Sequence, residues 1–239
     1  MPRSSTLAGF ARTALLALTG CSSAGPEAAE TPSSPASEAP DGAGTYSSDQ
    51  LAGFLETVTD ADGAPLRVIP AAQIEQSMEQ AQQFLDAVTI TPETCAVFVS
   101  NSFEVPDGAG YATGVSGVDG DAIQTIVSVS SSSDATFVQD RLAAAEEALE
   151  PCASFAVEAQ GVEISQTVEP LEATTGADET NGTVTSQTSS DGAVQQTMTV
   201  SGSSGDLLVT AVRTAPDQVP EGTQTQLQDL VDATFAAVD

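Results

Sequence analysis

Apolar positions recur along this chain with two different periods. Ile74, Met78, Ala81, Leu85 and Val88 are spaced 4, 3, 4 and 3 apart, which predicts an amphipathic helix over 71–88. Pro70 stands at its start, where proline is tolerated. A second helix is predicted over 134–149, with Asp134 as N-cap and Phe137, Val138, Leu142, Ala145 and Leu149 on its buried face. Pro151 ends it and Cys152 follows at once. A third, over about 223–238, carries Leu227, Leu230, Val231, Thr234 and Val238 on one side. Leu51, Phe54, Leu55 and Val58 mark a short helix or turn over 49–58.

Alternation with period two marks the strands. It is clearest in AIQTIVSVSS at 122–131, and further strands are predicted over 155–159, 162–171, 182–189, 193–200 and 207–213, with a brief one at 67–69. Ser190-Asp191-Gly192 is a hairpin signal, and Ser203-Ser204-Gly205-Asp206 a second turn. The Gly- and Asp-rich stretch 106–120 reads as a loop. Three helices and five or six mostly antiparallel strands predict an α+β fold, a twisted antiparallel sheet with two or three helices packed on one face. The alternation of QQTMTV at 195–200 predicts one polar sheet face, which favours a shallow cleft over a deep apolar cavity.

The first residues follow neither period. Residues 1–12 carry Arg3 and Arg12 and no acid, and 13–20 are apolar or small. That is the layout of a signal peptide, and the apolar run is too short for a transmembrane helix of roughly 20 residues. Leu18-Thr19-Gly20-Cys21 resembles a bacterial lipobox, which implies diacylglyceryl transfer to the Cys21 thiol and cleavage before it. Acyl chains at about 0.8 kcal/mol per buried CH₂ would then hold the chain on the outer face of the cell membrane. Residues 22–48 are Pro, Ser, Ala, Glu and Gly without large apolar side chains, so they cannot offset their ordering entropy. The expected organisation is a signal peptide at 1–20, a lipidated N-terminus and disordered linker at 21–48, and one extracytoplasmic domain at 49–239. A flexible linker of this length spans on the order of 30 Å.

Charge narrows the partners. The chain holds 34 acidic and 5 basic residues, the latter all arginine, for a net charge of −29. Such a surface repels nucleic acids and anionic headgroups, so no nucleic-acid partner is expected. Aromatics are 4% of residues and tryptophan is absent, which argues against stacking on sugars. With Cys21 used as the anchor, Cys95 and Cys152 remain. Two cysteines in an exported chain usually pair, the other readings being a metal site or reactive thiols. Two cysteines without histidine make a poor zinc site.

The chain contains neither histidine nor lysine. A Ser-His-Asp or Cys-His apparatus, a Ser-Lys dyad, a Schiff base and a phosphate-binding lysine therefore all lack a member. Gly108-Ala109-Gly110-Tyr111-Ala112-Thr113-Gly114 has one residue too many for a dinucleotide fingerprint and no parallel β-α-β context. Asp119-Gly120-Asp121 and Asp60-Ala61-Asp62-Gly63 do not continue into a calcium loop. Asn181-Gly182-Thr183 matches a glycosylation sequon but reads as the turn entering a strand. Among 34 acids no carboxylate pair stands out for glycoside hydrolysis. No enzyme activity, metal or cofactor is expected.

The order of parts carries a resemblance. Cys95 follows a helix and precedes a Gly-rich loop with Tyr111; the strand AIQTIVSVSSSSDATFV leads into a helix that ends at Cys152 in EALEPC. Strands and an amphipathic helix close the chain. This resembles the PknH-type extracellular sensor domain of actinobacterial receptor kinases, which also occurs alone in lipoproteins, over roughly 49–239. The resemblance implies a twisted antiparallel sheet with helices on it, a cleft for a small ligand, and Cys95–Cys152 as one family disulfide. The chain departs from that pattern in lacking cysteines after Cys152 and a tryptophan near Ala148-Leu149-Glu150, so no ligand residues carry over. The expected function is a lipid-anchored, non-catalytic, ligand-binding or sensor-like lipoprotein. It would hold the membrane through its lipid and take a small ligand or an envelope protein as partner. The alternative is a carrier of lipid or another apolar molecule, with a cavity lined by Ile126, Val127, Phe137 and Val200.

Overall fold

A computed structural model describes residues 45–61, 63–100, 108–117, 123–159 and 161–238. In chain order the elements are α1 (Ser48–Leu55), β1 (Arg67–Ile69), α2 (Ala71–Leu85), β2 (Val88–Thr91), a 3₁₀ turn (Glu93–Ala96) and the single-turn α3 (Val97–Ser100). Then come β3 (Gly110–Ser116), β4 (Gln124–Ser131), α4 (Ala135–Ala148), β5 (Ser154–Ala159), β6 (Val162–Pro170), β7 (Glu179–Ser189), β8 (Val194–Ser204), β9 (Leu207–Pro216) and α5 (Thr223–Val238). The fold is α+β. All strands pair antiparallel in one sheet of nine, ordered β1-β3-β4-β9-β8-β7-β6-β5-β2, where five or six were expected. The described residues also form five helices rather than two or three.

Two differences from the sequence pattern have clear causes. The helix expected over 71–88 stops at Leu85, because Val88-Thr89-Ile90-Thr91 is entirely β-branched and pairs with β5. The loop expected over 106–120 contains β3, whose glycines make room for neighbours. A Cβ on Gly110 would lie 1.9 Å from the Tyr46 carbonyl oxygen, and one on Gly114 would lie 3.1 Å from Leu66.

The segment above Gly110 is pinned at several points. The Tyr46 amide donates to Ser131 Oγ at 2.9 Å, and the Tyr111 amide donates to Ser48 Oγ at 3.1 Å. Ser47 and Gln50 cap each other's backbone at the start of α1. Gly110→Ala is therefore expected to cost about 1–3 kcal/mol, as overpacking against backbone does. Equilibrium urea unfolding checks this, and an unchanged midpoint would show that residues 45–47 do not dock on β3.

Register separates the two sheet faces. Val127, Ala211 and Val200 lie opposite one another across β4, β9 and β8, as do Val129, Val209 and Gly202. On this face α1 and α5 lay Leu51, Leu55, Leu227, Leu230 and Val231, forming the main core. Gly202 lets α5 close in, since a Cβ there would be 3.0 Å from Val231. We call this the closed face.

The other face is built differently. A smaller cluster of Phe155, Val157 and Val168 sits at its β5–β6 end with Cys95 and Cys152. Those cysteines form a disulfide with 5.5 Å between Cα atoms. Helix α4 crosses this face between β4 and β5 and ends in the small cluster through Ala148 and Leu149. Helix α2 joins the two edge strands, touches this face where the Tyr111 hydroxyl meets Glu75, and buries none of its residues.

Candidate functional site

The uncovered part of the second face is a field of short polar side chains. Thr113, Ser128, Thr210, Ser201 and Asn181 lie opposite one another across five strands. The row of Thr214, Thr197 and Thr185 runs parallel to it towards Val168. The hydroxyls bond along these rows, Thr113 with Ser128 at 3.2 Å, Ser201 with Thr210 at 3.0 Å and Thr197 with Thr214 at 3.1 Å. Such cross-strand hydroxyl pairs hold register without filling space as a Val or Leu row would. Between the rows, Val115, Ile126, Val212, Thr199 and Thr183 are half-buried. The face is thus polar with an apolar strip, and the helices crossing it do not seal it.

Where α4 passes the start of β7 it leaves a groove of about 500 Å³, lined by Gln139, Leu142, Ala143, Glu146, Glu179, Thr180 and Asn181. Helical spacing of 3 and 4 brings Gln139, Leu142, Ala143 and Glu146 to one side of α4. Asp134 fixes the start of that helix. Its carboxylate accepts from the Thr136 and Phe137 amides and the Thr136 hydroxyl. The Thr136 hydroxyl chiefly, with the two amides, holds the Asp134 carboxyl below its ordinary pKa. The opposite wall comes from β7, held in register by its pairing with β8.

The groove offers carboxylates, amides and a hydroxyl around Leu142 and Ala143, and no cation among its lining residues. That set accepts hydrogen bonds from amines and hydroxyls and packs a short apolar stem. At the far side of the same face the Tyr111 hydroxyl meets Glu75 at 3.4 Å. Burial first, then the Glu75 charge, pushes the Tyr111 phenol above its ordinary pKa.

The residues singled out from sequence fall in several places. Cys21 lies outside the described residues, as do Asp62, Asp119 and Asp121. Asp60 accepts from the Ala64 amide at 2.8 Å and from the Ser116 hydroxyl. Among the described residues no group of three or more Cys, Asp or Glu could hold a metal ion. Cys95 and Cys152 are joined and fully buried. Asn181 is not a turn but part of β7, on the groove wall. The four residues expected to line a lipid cavity do not meet. Val127 and Val200 are sealed in the closed-face core, whereas Ile126 points the other way and Phe137 is on α4. The groove-lining Glu146 and Glu179 went unnoticed in the sequence, where Asn181 stood out only as a sequon, and only the alternation of 195–200 hinted at a polar face.

The chain matches no family model and no curated protein. Solved structures similar to it include two from mycobacteria. One is the extracellular domain of PknH from Mycobacterium tuberculosis, at 11% identity and TM-score 0.48, covering 80% of this chain and 93% of that one. The other is a putative uncharacterised protein from Mycobacterium smegmatis, the Rv0999 ortholog, at 17% identity and TM-score 0.40, covering 64% and 77%. The first is of the domain type that the order of cysteines, strands and helices resembles.

Proposed function

We propose that the chain is a lipid-anchored, extracytoplasmic, non-catalytic lipoprotein of the bacterial cell envelope that senses or scavenges a small polar ligand. The ligand lies in the groove between α4 and the start of β7. The observation that carries this reading is the polar sheet face, crossed by α4 without being sealed and open at a groove of about 500 Å³. A pocket of this size suits a small molecule. Its lining of Gln139, Glu146, Glu179 and Asn181 selects for amines or hydroxyls, which donate to carboxylate and amide oxygens. The N-terminal pattern ending at Cys21 supports the anchor. No helix among the described residues is long and apolar enough to cross a membrane.

Mass spectrometry of the chain from its own host tests both halves. The denatured mass is expected to begin at Cys21 with acyl chains attached, and an uncut, unacylated start would overturn the anchor. The native mass is expected to exceed the acylated polypeptide by one small polar molecule. Leu142→Trp, which fills the groove, is expected to remove that increment. A lipid-sized increment would replace this reading with the carrier. An increment that survives Leu142→Trp would move the ligand out of the groove.

A further inference from the structure

The closed face has a polar end that packing alone does not explain. Arg213, half-buried on β9, donates from Nε to Thr125 Oγ1 at 2.8 Å and from Nη1 to Gln226 Oε1 on α5. Both acceptors are neutral. In a chain with 34 acids and 5 arginines, this half-buried cation has no carboxylate partner among the described residues. Charges taken out of water are ordinarily paired. Asp60 is held by Ser116, which lies two strands away from Arg213 across Thr125.

A second observation falls at the same place. Thr223, in the first turn of α5, is 1% exposed, and its Oγ1 is buried without a hydrogen-bond partner. Residues three apart on a helix are neighbours, so Thr223 stands next to Gln226, the residue that the guanidinium meets. The Thr223 and Gln226 amides donate to Pro220 and Gly222 carbonyls, whereas those of Gln224 and Thr225 find no acceptor among the described residues. Helix α5 has 16 residues and no acid in its first turn, so nothing in that turn offsets the partial positive charge there. A forked cation, an orphaned hydroxyl and two open amides therefore gather at one end of the sheet.

We propose that this end of the closed face is an oxyanion site, in which Arg213, the Thr223 hydroxyl and the first-turn amides of α5 hold the carboxylate or phosphate group of a small molecule. A carboxylate or phosphate presents the paired acceptor oxygens that a guanidinium fork matches. The site is separate from the α4–β7 groove, which lies on the opposite face and offers acceptors.

Titrating the full-length chain with inorganic phosphate and, separately, with acetate tests this, following arginine Nε–H resonances by NMR. The Arg213 resonance, identified by its loss in Arg213→Gln, is expected to shift saturably. Response to phosphate alone assigns the site to phosphate, response to acetate alone to carboxylates, and response to both to either group. Thr223→Val is expected to weaken binding roughly tenfold while raising the melting temperature of the free chain, because an orphaned polar atom is gone. Should Arg213→Gln fail to fold, Arg213→Lys keeps the charge without the fork and identifies the same resonance by its loss. No saturable shift with either anion overturns the proposal. So does an equal shift of every arginine resonance that Thr223→Val leaves unchanged.

Discussion

Replacing Cys95 and Cys152 together by alanine is expected to lower the unfolding free energy by about 4 kcal/mol, the chain-entropy value for a loop of this length. The bridge spans 57 positions, and between its ends lie α3, β3, β4 and α4. Cutting it releases that whole segment in the unfolded ensemble. The native side adds a local effect. The bridge sits in the smaller cluster, where Phe98 stacks on Phe155 at 6.3 Å and few other large side chains are buried. This end of the sheet has little else to hold β2 and the end of α4. Hydrogen exchange should therefore accelerate in β2 and β5 before it does in β4 and β9. Urea unfolding of the double variant against the oxidised chain measures the size. A loss under about 1 kcal/mol would mean that the cluster, and not the crosslink, fixes this end.

Much of the helical architecture was legible because its signals are local. Asp134 caps α4 and Pro151 follows its end, and both are visible within a few residues. The turn at Asp191-Gly192 is equally local: the Asp191 carboxylate accepts from the Ser189 hydroxyl at 2.6 Å and the Ala193 amide at 3.1 Å. The sheet was less legible because its pairings are not local. Gln124 pairs with Thr214, and no pattern around either residue announces the other. Strand β3 hid behind its glycines, whose reason is a tyrosine backbone at position 46 and a leucine at 66. Val88 continued the helical stripe by spacing yet began a strand, because it pairs with Ala159 of β5, far along the chain.

The candidate site was the least legible part. Its walls come from one face of α4 and from β7, and each stretch read alone is an ordinary solvated surface. Glu146 and Glu179 are two of 34 acids, and only tertiary structure separates them from the rest. The closed and open faces also share the same alternating pattern. In β8, Val200 points into the core while Thr199 and Ser201 face the hydroxyl field. Which face carries function depends on where the helices land, and sequence alternation is silent on that point.

The asymmetry between the faces predicts the second large effect. Leu227→Ala should cost about 3–4 kcal/mol, within the usual range for truncating a fully buried leucine. Leu227 has no exposed surface, and α5 holds it against β8 and β9 in the main core beside Leu230 and Val231. Gly202 has already brought the helix as close as side chains allow, so α5 cannot settle inward to fill the lost volume. Leu142→Ala on α4 removes the same atoms from a half-buried position on the groove, where solvent already reaches. That change should cost less than about 1 kcal/mol. Urea unfolding of the two variants side by side measures the difference. If Leu142→Ala proved as costly as Leu227→Ala, α4 would be packed as tightly as α5. The second face would then be sealed, leaving the groove no room for a ligand.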